Sequence, residues 1–177
     1  VVAPPPAEEM AGLEVEPLSP RQGYFFVRPG HPLTGRQALS LADVAAFPIV
    51  CSSRLTIAIV ERLLDARGPR GAGRTLPDVA TESHEMMQRI AATTDHTLLS
   101  SLAANREALA RGRLVALPLA DPAIRTSFAI VRLESRTLPP IADTLIREVV
   151  AADRASFVAE RALEPRAPGG SIGRTTR

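Results

Sequence analysis

The sequence predicts an α/β fold, and three observations carry that prediction. Short apolar segments rich in Val, Ile, Leu and Phe alternate with stretches whose apolar residues recur at helical spacing. Gly and Pro punctuate the junctions between them. Hydrophobic residues make up 45% of the 177 residues and charged residues 23%, which is enough for a packed core. Strand–helix alternation of this kind predicts largely parallel strands joined by right-handed crossovers. Aromatics are 3% and tryptophan is absent, so Leu, Val, Ile and Ala must build the core.

Residues 4–12 read as loop, because three prolines in a row cannot donate to a ladder. LEVEPL (13–18) alternates apolar and acidic residues, the pattern of a half-exposed strand. GYFFVRPG (23–30) is a short apolar strand stopped by Pro-Gly, and RPGHPLTGR (28–36) is turn chemistry. Ser40 and Asp43 have capping-box spacing and open a short helix over 40–47. FPIVCSS (47–53) is a buried strand ending near Cys51. An amphipathic helix follows over 53–68, with Leu55, Ile59, Leu63 and Ala66 on one face and Gly68 as its stop.

After a loop come a strand (76–83), a helix (84–93), a strand (96–101) and a helix (102–112) ended by Gly112. Strands over 113–119 and 126–133 are joined by DPAIR. A long helix starts near Pro140, a residue suited to a first turn, and stops before Pro165. APGGSIGRTTR reads as a flexible tail.

Net charge is +2, and all 21 basic residues are Arg. They are scattered among acids, and no basic run exceeds Arg111-Gly112-Arg113. A nucleic-acid footprint needs clustering, so this chain is not expected to bind DNA or RNA directly. A single cysteine, Cys51, excludes an intrachain disulfide and a multi-cysteine zinc site. No stretch approaches the roughly 20 apolar residues of a membrane helix. No signal peptide is visible, so a reducing, cytoplasmic setting is expected. The opening at Val1 suggests a piece of a longer protein.

In open α/β sheets ligands meet the carboxyl ends of strands. Two such turns stand out. Cys51-Ser52-Ser53-Arg54 offers small hydroxyls, backbone N–H groups and a cation that would suit a carboxylate or phosphate. The plainer alternative is that Ser52 or Ser53 caps the next helix. Thr81-Glu82-Ser83 is the second turn, with Ser83 as N-cap and His84 in the first helical turn. His31, between Gly30 and Pro32, reads as a turn residue, and His96 has only Asp95 beside it. Met86 and Met87 fit a core. No nucleophile triad, metal-ligand spacing or phosphate loop occurs, so neither a catalytic residue nor a metal or cofactor site is expected.

The order of motifs resembles the effector-binding domain of LysR-type transcriptional regulators. YFFV (24–27), RPGHPLTGR (28–36), SLADV (40–44) and Phe47-Pro48 match that family's strand, R-P-G-H-P-L-A-G-R, S-L-A-D-L and Y-P strand. VATES (79–83), GRLVALPL (112–119) and the FAIVRLESRTLPP segment (128–140) continue the likeness, which covers roughly residues 1–150. Ser100-Ser101 depart from it where Leu-Pro is usual, and Ser135 stands where Arg or Gly is common.

The resemblance implies a periplasmic-binding-protein-like (type 2) fold of two α/β subdomains with a small-molecule cleft between them. Residues 21–122 would form a complete second subdomain. Residues 1–20 and 123–152 would form a truncated first subdomain with the crossing segments, leaving apolar surface exposed. Residues 153–177 would be a helix extension and tail. Effector contacts would map onto Cys51, Ser52, Ser53, Arg54, Thr81, Glu82 and Ser83, and Arg54 suggests an anionic effector. Partners would be the effector, further copies of the chain, and DNA only through an N-terminal helix-turn-helix absent here, with no membrane. The rival functions are a solute-binding protein of a transport system and an α/β enzyme without a recognisable motif.

Overall fold

The computed structural model describes residues 11–162 apart from Gln37, Arg54, Ala72, Arg74, Ala120, Pro122, Ala123 and Ser127. In chain order these form β1 (Leu13–Pro17), β2 (Arg21–Gln22), β3 (Tyr24–Val27), α1 (Leu41–Ala45), β4 (Ile49–Cys51), α2 (Ile57–Arg67) and β5 (Val79–Ala80). Then follow α3 (His84–Thr93), β6 (Thr97–Ser100), α4 (Leu102–Ala110), β7 (Val115–Ala116), β8 (Arg125–Thr126), β9 (Ala129–Leu133) and α5 (Pro140–Ala162). Most of the loop expected over 4–12, and the tail beyond 162, lie outside the described residues.

Five strands make one sheet in the order β5-β4-β6-β3-β7. It is mixed, where largely parallel strands were expected. β4 runs parallel to β5 and β6, but β3 is antiparallel to both β6 and β7. The alternation of strands and helices is the same either way. What differs is that β3 is not a neighbour of β4 but sits beyond β6, and sequence periodicity carries no information on that order.

Side-chain alternation divides the core between the two faces of this sheet. Phe25 and Val27 of β3 point to the face covered by α1 and α2, where Val44, Ile59 and Leu63 pack. Tyr24 and Phe26 point to the other face, against Met87 and Ala91 of α3 and Leu102 and Ala108 of α4. All four β3 residues are therefore buried, as a fully apolar strand requires.

Local signals set most helix ends. Ser40 and Asp43 form the expected capping box on α1. Ser83 and Ser101 cap α3 and α4. α2 begins later than expected: Thr56, not Ser52 or Ser53, is its N-cap and accepts from the Ile59 N–H. Gly68 ends α2 with φ +56°, a backbone region glycine enters without a Cβ penalty.

His31 is a buried turn residue. Its Nδ1 accepts from the Leu33 N–H at 3.1 Å, and its Nε2 lies 3.3 Å from the Asp95 carbonyl oxygen. Those two contacts require a neutral ring protonated on Nε2. The ring also packs on Phe47, with centroids 4.6 Å apart.

Outside the sheet the chain pairs with itself twice, β1 with β9 and β2 with β8, both antiparallel. The single strand expected over 126–133 is thus two strands with different partners. The strands expected over 76–83 and 113–119 shrink to two residues each. α5 starts at Pro140 and runs unbroken past residue 152 to Ala162. Ile141, Leu145 and Val149 lie on one of its faces and are exposed, as are Val131 and Leu133 on one face of β9.

Candidate ligand-binding cleft

The carboxyl ends of β4 and β6 open toward the β2–β8 pair, and between them lies a cleft of about 320 Å³. Its apolar surface comes from Leu55, Ile59 and Leu99 on one face of the sheet and Met87 on the other, with Ile124 and Phe128 beside the crossing strands. Hydroxyls line it from three directions: Ser52 after β4, Ser100 and Ser101 at the end of β6, and Thr126 on β8. A concave, mostly apolar space with a few convergent polar groups is what small-molecule sites look like.

Gln22 fixes the crossing strands. Its Nε2 donates to the carbonyls of Gly23 (3.1 Å), Asp121 (2.7 Å) and Ile124 (3.0 Å). Gly23 next to it donates to the Ile124 carbonyl at 2.8 Å. The approach is so close that a Cβ on Gly23 would lie 2.6 Å from Ile124 Cγ2.

Arg21 is the only charged residue among the described lining of the cleft. Its guanidinium is held by α5. One nitrogen donates to the Asp153 carboxylate at 2.6 Å and to the Asp153 carbonyl at 2.8 Å. The other reaches Glu160 Oε2 at 3.2 Å. Glu160 is buried, and its Oε1 accepts from the Ala103 N–H at 3.0 Å, at the N-terminus of α4. The Phe157 ring stacks near the same guanidinium, 5.5 Å from centroid to Cζ. Burial works against the Asp153 carboxylate, but hydrogen bonds from Ser19 and Arg21 outweigh it and hold its pKa below the usual range.

Of the residues expected at the site, Cys51 and Ser52 line the cleft. Burial, reinforced by the Asp78 and Glu82 charges, pushes the Cys51 thiol up to about 12. Ser53 and Glu82 meet each other: the Ser53 N–H donates to Glu82 Oε1 at 3.1 Å, and the Ser53 hydroxyl reaches the same oxygen. The Thr81 N–H donates to the Cys51 carbonyl at 3.2 Å, and Ser83 caps α3. Thr81, Glu82 and Ser83 therefore stand behind the Cys51–Ser53 turn and outside the cleft lining. Arg54 lies outside the described residues. Gln22, Gly23, Ser100, Ser101 and Thr126 were not expected at the site. Ser100-Ser101 carry the same signal as Cys51-Ser52, small hydroxyls at a strand end.

The sequence profile of the LysR substrate binding domain matches residues 1–154. The chain belongs to this family. A curated relative, the SDS degradation transcriptional activation protein of Pseudomonas sp. (strain ATCC 19151), is 29% identical over 137 residues, 75% of this chain. The chain spans 43% of that relative's length. Among solved structures, the regulatory domain of MetR, a LysR family regulator from N. meningitidis, superposes with a TM-score of 0.62. That match is 13% identical and covers 92% of this chain and 69% of the regulatory-domain chain. The effector binding domain of QuiR in complex with shikimate gives a TM-score of 0.59 at 15% identity, covering 84% of this chain and 68% of its own. These likenesses show the fold: the mixed sheet and paired crossing strands of this LysR domain are those of a periplasmic-binding-protein-like effector domain. No helix among the described residues is long and apolar enough to cross a membrane.

Proposed function

We propose that this LysR domain binds a small-molecule effector in the cleft between its five-stranded sheet and its crossing strands. It would do so as the sensing part of a DNA-binding transcription regulator. The observation that carries this is that one cavity is lined both by the strand ends of β4 and β6 and by β2 and β8. A molecule seated there touches the sheet and the crossing segments together, so it favours one angle between them over another. If copies of the chain associate through the parts so moved, ligand binding changes oligomer geometry and the spacing of attached DNA-binding domains. The shikimate-bound QuiR domain and the activator function of the curated relative support this reading.

On the same reading, residues 21–122 are the second subdomain, and residues 1–20 and 123–152 belong to the first. The exposed apolar residues of β9 and α5 support this division, because they give the first subdomain an apolar surface distinct from the core of the five-stranded sheet. DNA contact belongs to an N-terminal helix-turn-helix, the setting is the cytoplasm, and the domain senses without catalysing.

The test is a reporter on the promoter the regulator controls. Ser52→Trp puts an indole into the cleft and should abolish the response to inducing conditions while operator binding persists. An unchanged response would remove the cleft from the mechanism.

A further inference from the structure

On the reading that this cleft holds the effector, we propose that it takes an uncharged, largely apolar molecule, because its one described cationic wall is already neutralised from within by α5. An anionic ligand needs a counter-charge or a set of free N–H donors, since a carboxylate buried without them is strongly disfavoured. Two described features of the cleft could supply these: Arg21, and the N-terminus of α4 beside Ser101. Both are engaged by the same side chain. Glu160 takes one guanidinium nitrogen of Arg21 with Oε2 and the Ala103 N–H with Oε1. Asp153 takes the other guanidinium nitrogen. One arginine therefore faces two carboxylates, and the wall carries no surplus positive charge for a ligand.

What stays available in the cleft is a different chemistry. Leu55, Ile59, Met87 and Leu99 offer an apolar bed, and Ser52 and Ser100 offer hydroxyls that both donate and accept. That set suits an alkyl or ring body ending in a hydroxyl or carbonyl group.

Probes of equal chain length, one with a neutral and one with an anionic headgroup, test this: 1-octanol against octanoate at pH 7.5, titrated into the full chain. Binding is read from the methyl resonance of Met87, which lines the cleft. Met86, exposed on the same helix and outside the lining, reports adventitious binding. 1-Octanol should shift Met87 and bind about tenfold or more tightly than octanoate. Glu160→Gln frees one nitrogen of Arg21, so octanoate should gain about tenfold while 1-octanol changes less than about twofold. Octanoate binding the unaltered chain as tightly as 1-octanol would overturn the charge argument and leave the cleft reading standing. Arg54→Met would then show whether that residue is the cation. A Glu160→Gln chain that still rejects octanoate would overturn the assignment to Glu160. If neither probe moves Met87, the cleft reading falls together with this one.

Discussion

Ser53 and Glu82 are 29 positions apart, yet the turn after β4 is tied to the turn after β5 through the backbone N–H of one and the carboxylate of the other. Both turns carry residues that the sequence marks as candidates for ligand contact. The bond gives them separate tasks: Ser52 faces the cleft, and Glu82 holds the turn that presents it. Glu82→Ala should therefore release the Ser53 amide. Hydrogen exchange at Ser53 is expected to speed by about tenfold, the loss of one hydrogen bond of ordinary net strength. The Thr81 amide, bonded to the Cys51 carbonyl at 3.2 Å, should keep its protection. Unchanged exchange at Ser53 would show that another contact holds the turn.

Gly23 sits where β2 hands the chain to β3 and where Ile124 crosses. A methyl there meets Ile124 Cγ2 at 2.6 Å and the Ile124 carbonyl oxygen at 3.2 Å. Ile124 is 1% exposed and cannot swing into solvent. Gly23→Ala should cost about 1–3 kcal/mol, the usual range for overpacking a fitted site. Urea unfolding at fixed pH measures it as a lower midpoint with an unchanged slope.

His31 gives the fold a pH dependence. Burial lowers its pKa below the ordinary 6.5, against the opposing pull of the Asp95 carbonyl and charge. The unfolded chain thus binds the proton more readily than the native one, and stability rises with pH through this window. The contribution is complete above pH 6.5 and is lost progressively as pH falls toward the lower native value. Protonation of Nδ1 also sets two donors face to face, because the Leu33 N–H points at that atom. Unfolding free energy should fall more steeply between pH 7 and 5 in the unaltered chain than in His31→Gln. Parallel slopes in the two chains would remove His31 as the cause.

How much of this was legible in the sequence follows the range of the interaction. Ser40 with Asp43, Ser83 with Met86, and Gly68 at the end of α2 act within a turn of chain, so residue type and spacing suffice. The start of α2 is not legible locally, because Ser53 is at least as good a cap as Thr56 in isolation. Glu82 decided between them by taking the Ser53 hydroxyl. The cleft was half legible: the β4 end announces itself through Cys51-Ser52. The opposite wall depends on Gln22 meeting Asp121 and Ile124, about a hundred residues away, and on Arg21 meeting Glu160, 139 positions away. The strand break between Thr126 and Ala129 has the same origin: the two halves find different partners, and one apolar run looks continuous until they do.

Cys51 lines the cleft and is 1% exposed, with a thiol pKa pushed up to about 12 by burial and by the nearby Asp78 and Glu82 carboxylates. The thiolate is the reactive species, so its population sets the rate of alkylation. Relative to a thiol of pKa 9.0, a value near 12 leaves about a thousandfold less thiolate at neutral pH. Iodoacetamide at pH 7.5 should accordingly label native Cys51 far more slowly than the same residue in urea, because the thiol is both buried and held protonated. Mass spectrometry of timed samples measures both rates. Because the native thiol stays protonated at neutral pH, labelling of the folded chain should rise with pH. Glu82→Gln removes one of the two carboxylates that disfavour the thiolate and should speed native labelling modestly. Rapid labelling of the folded chain at pH 7.5 would mean that Cys51 is an accessible thiolate, and the cleft would then have to be reconsidered as a site of thiol chemistry.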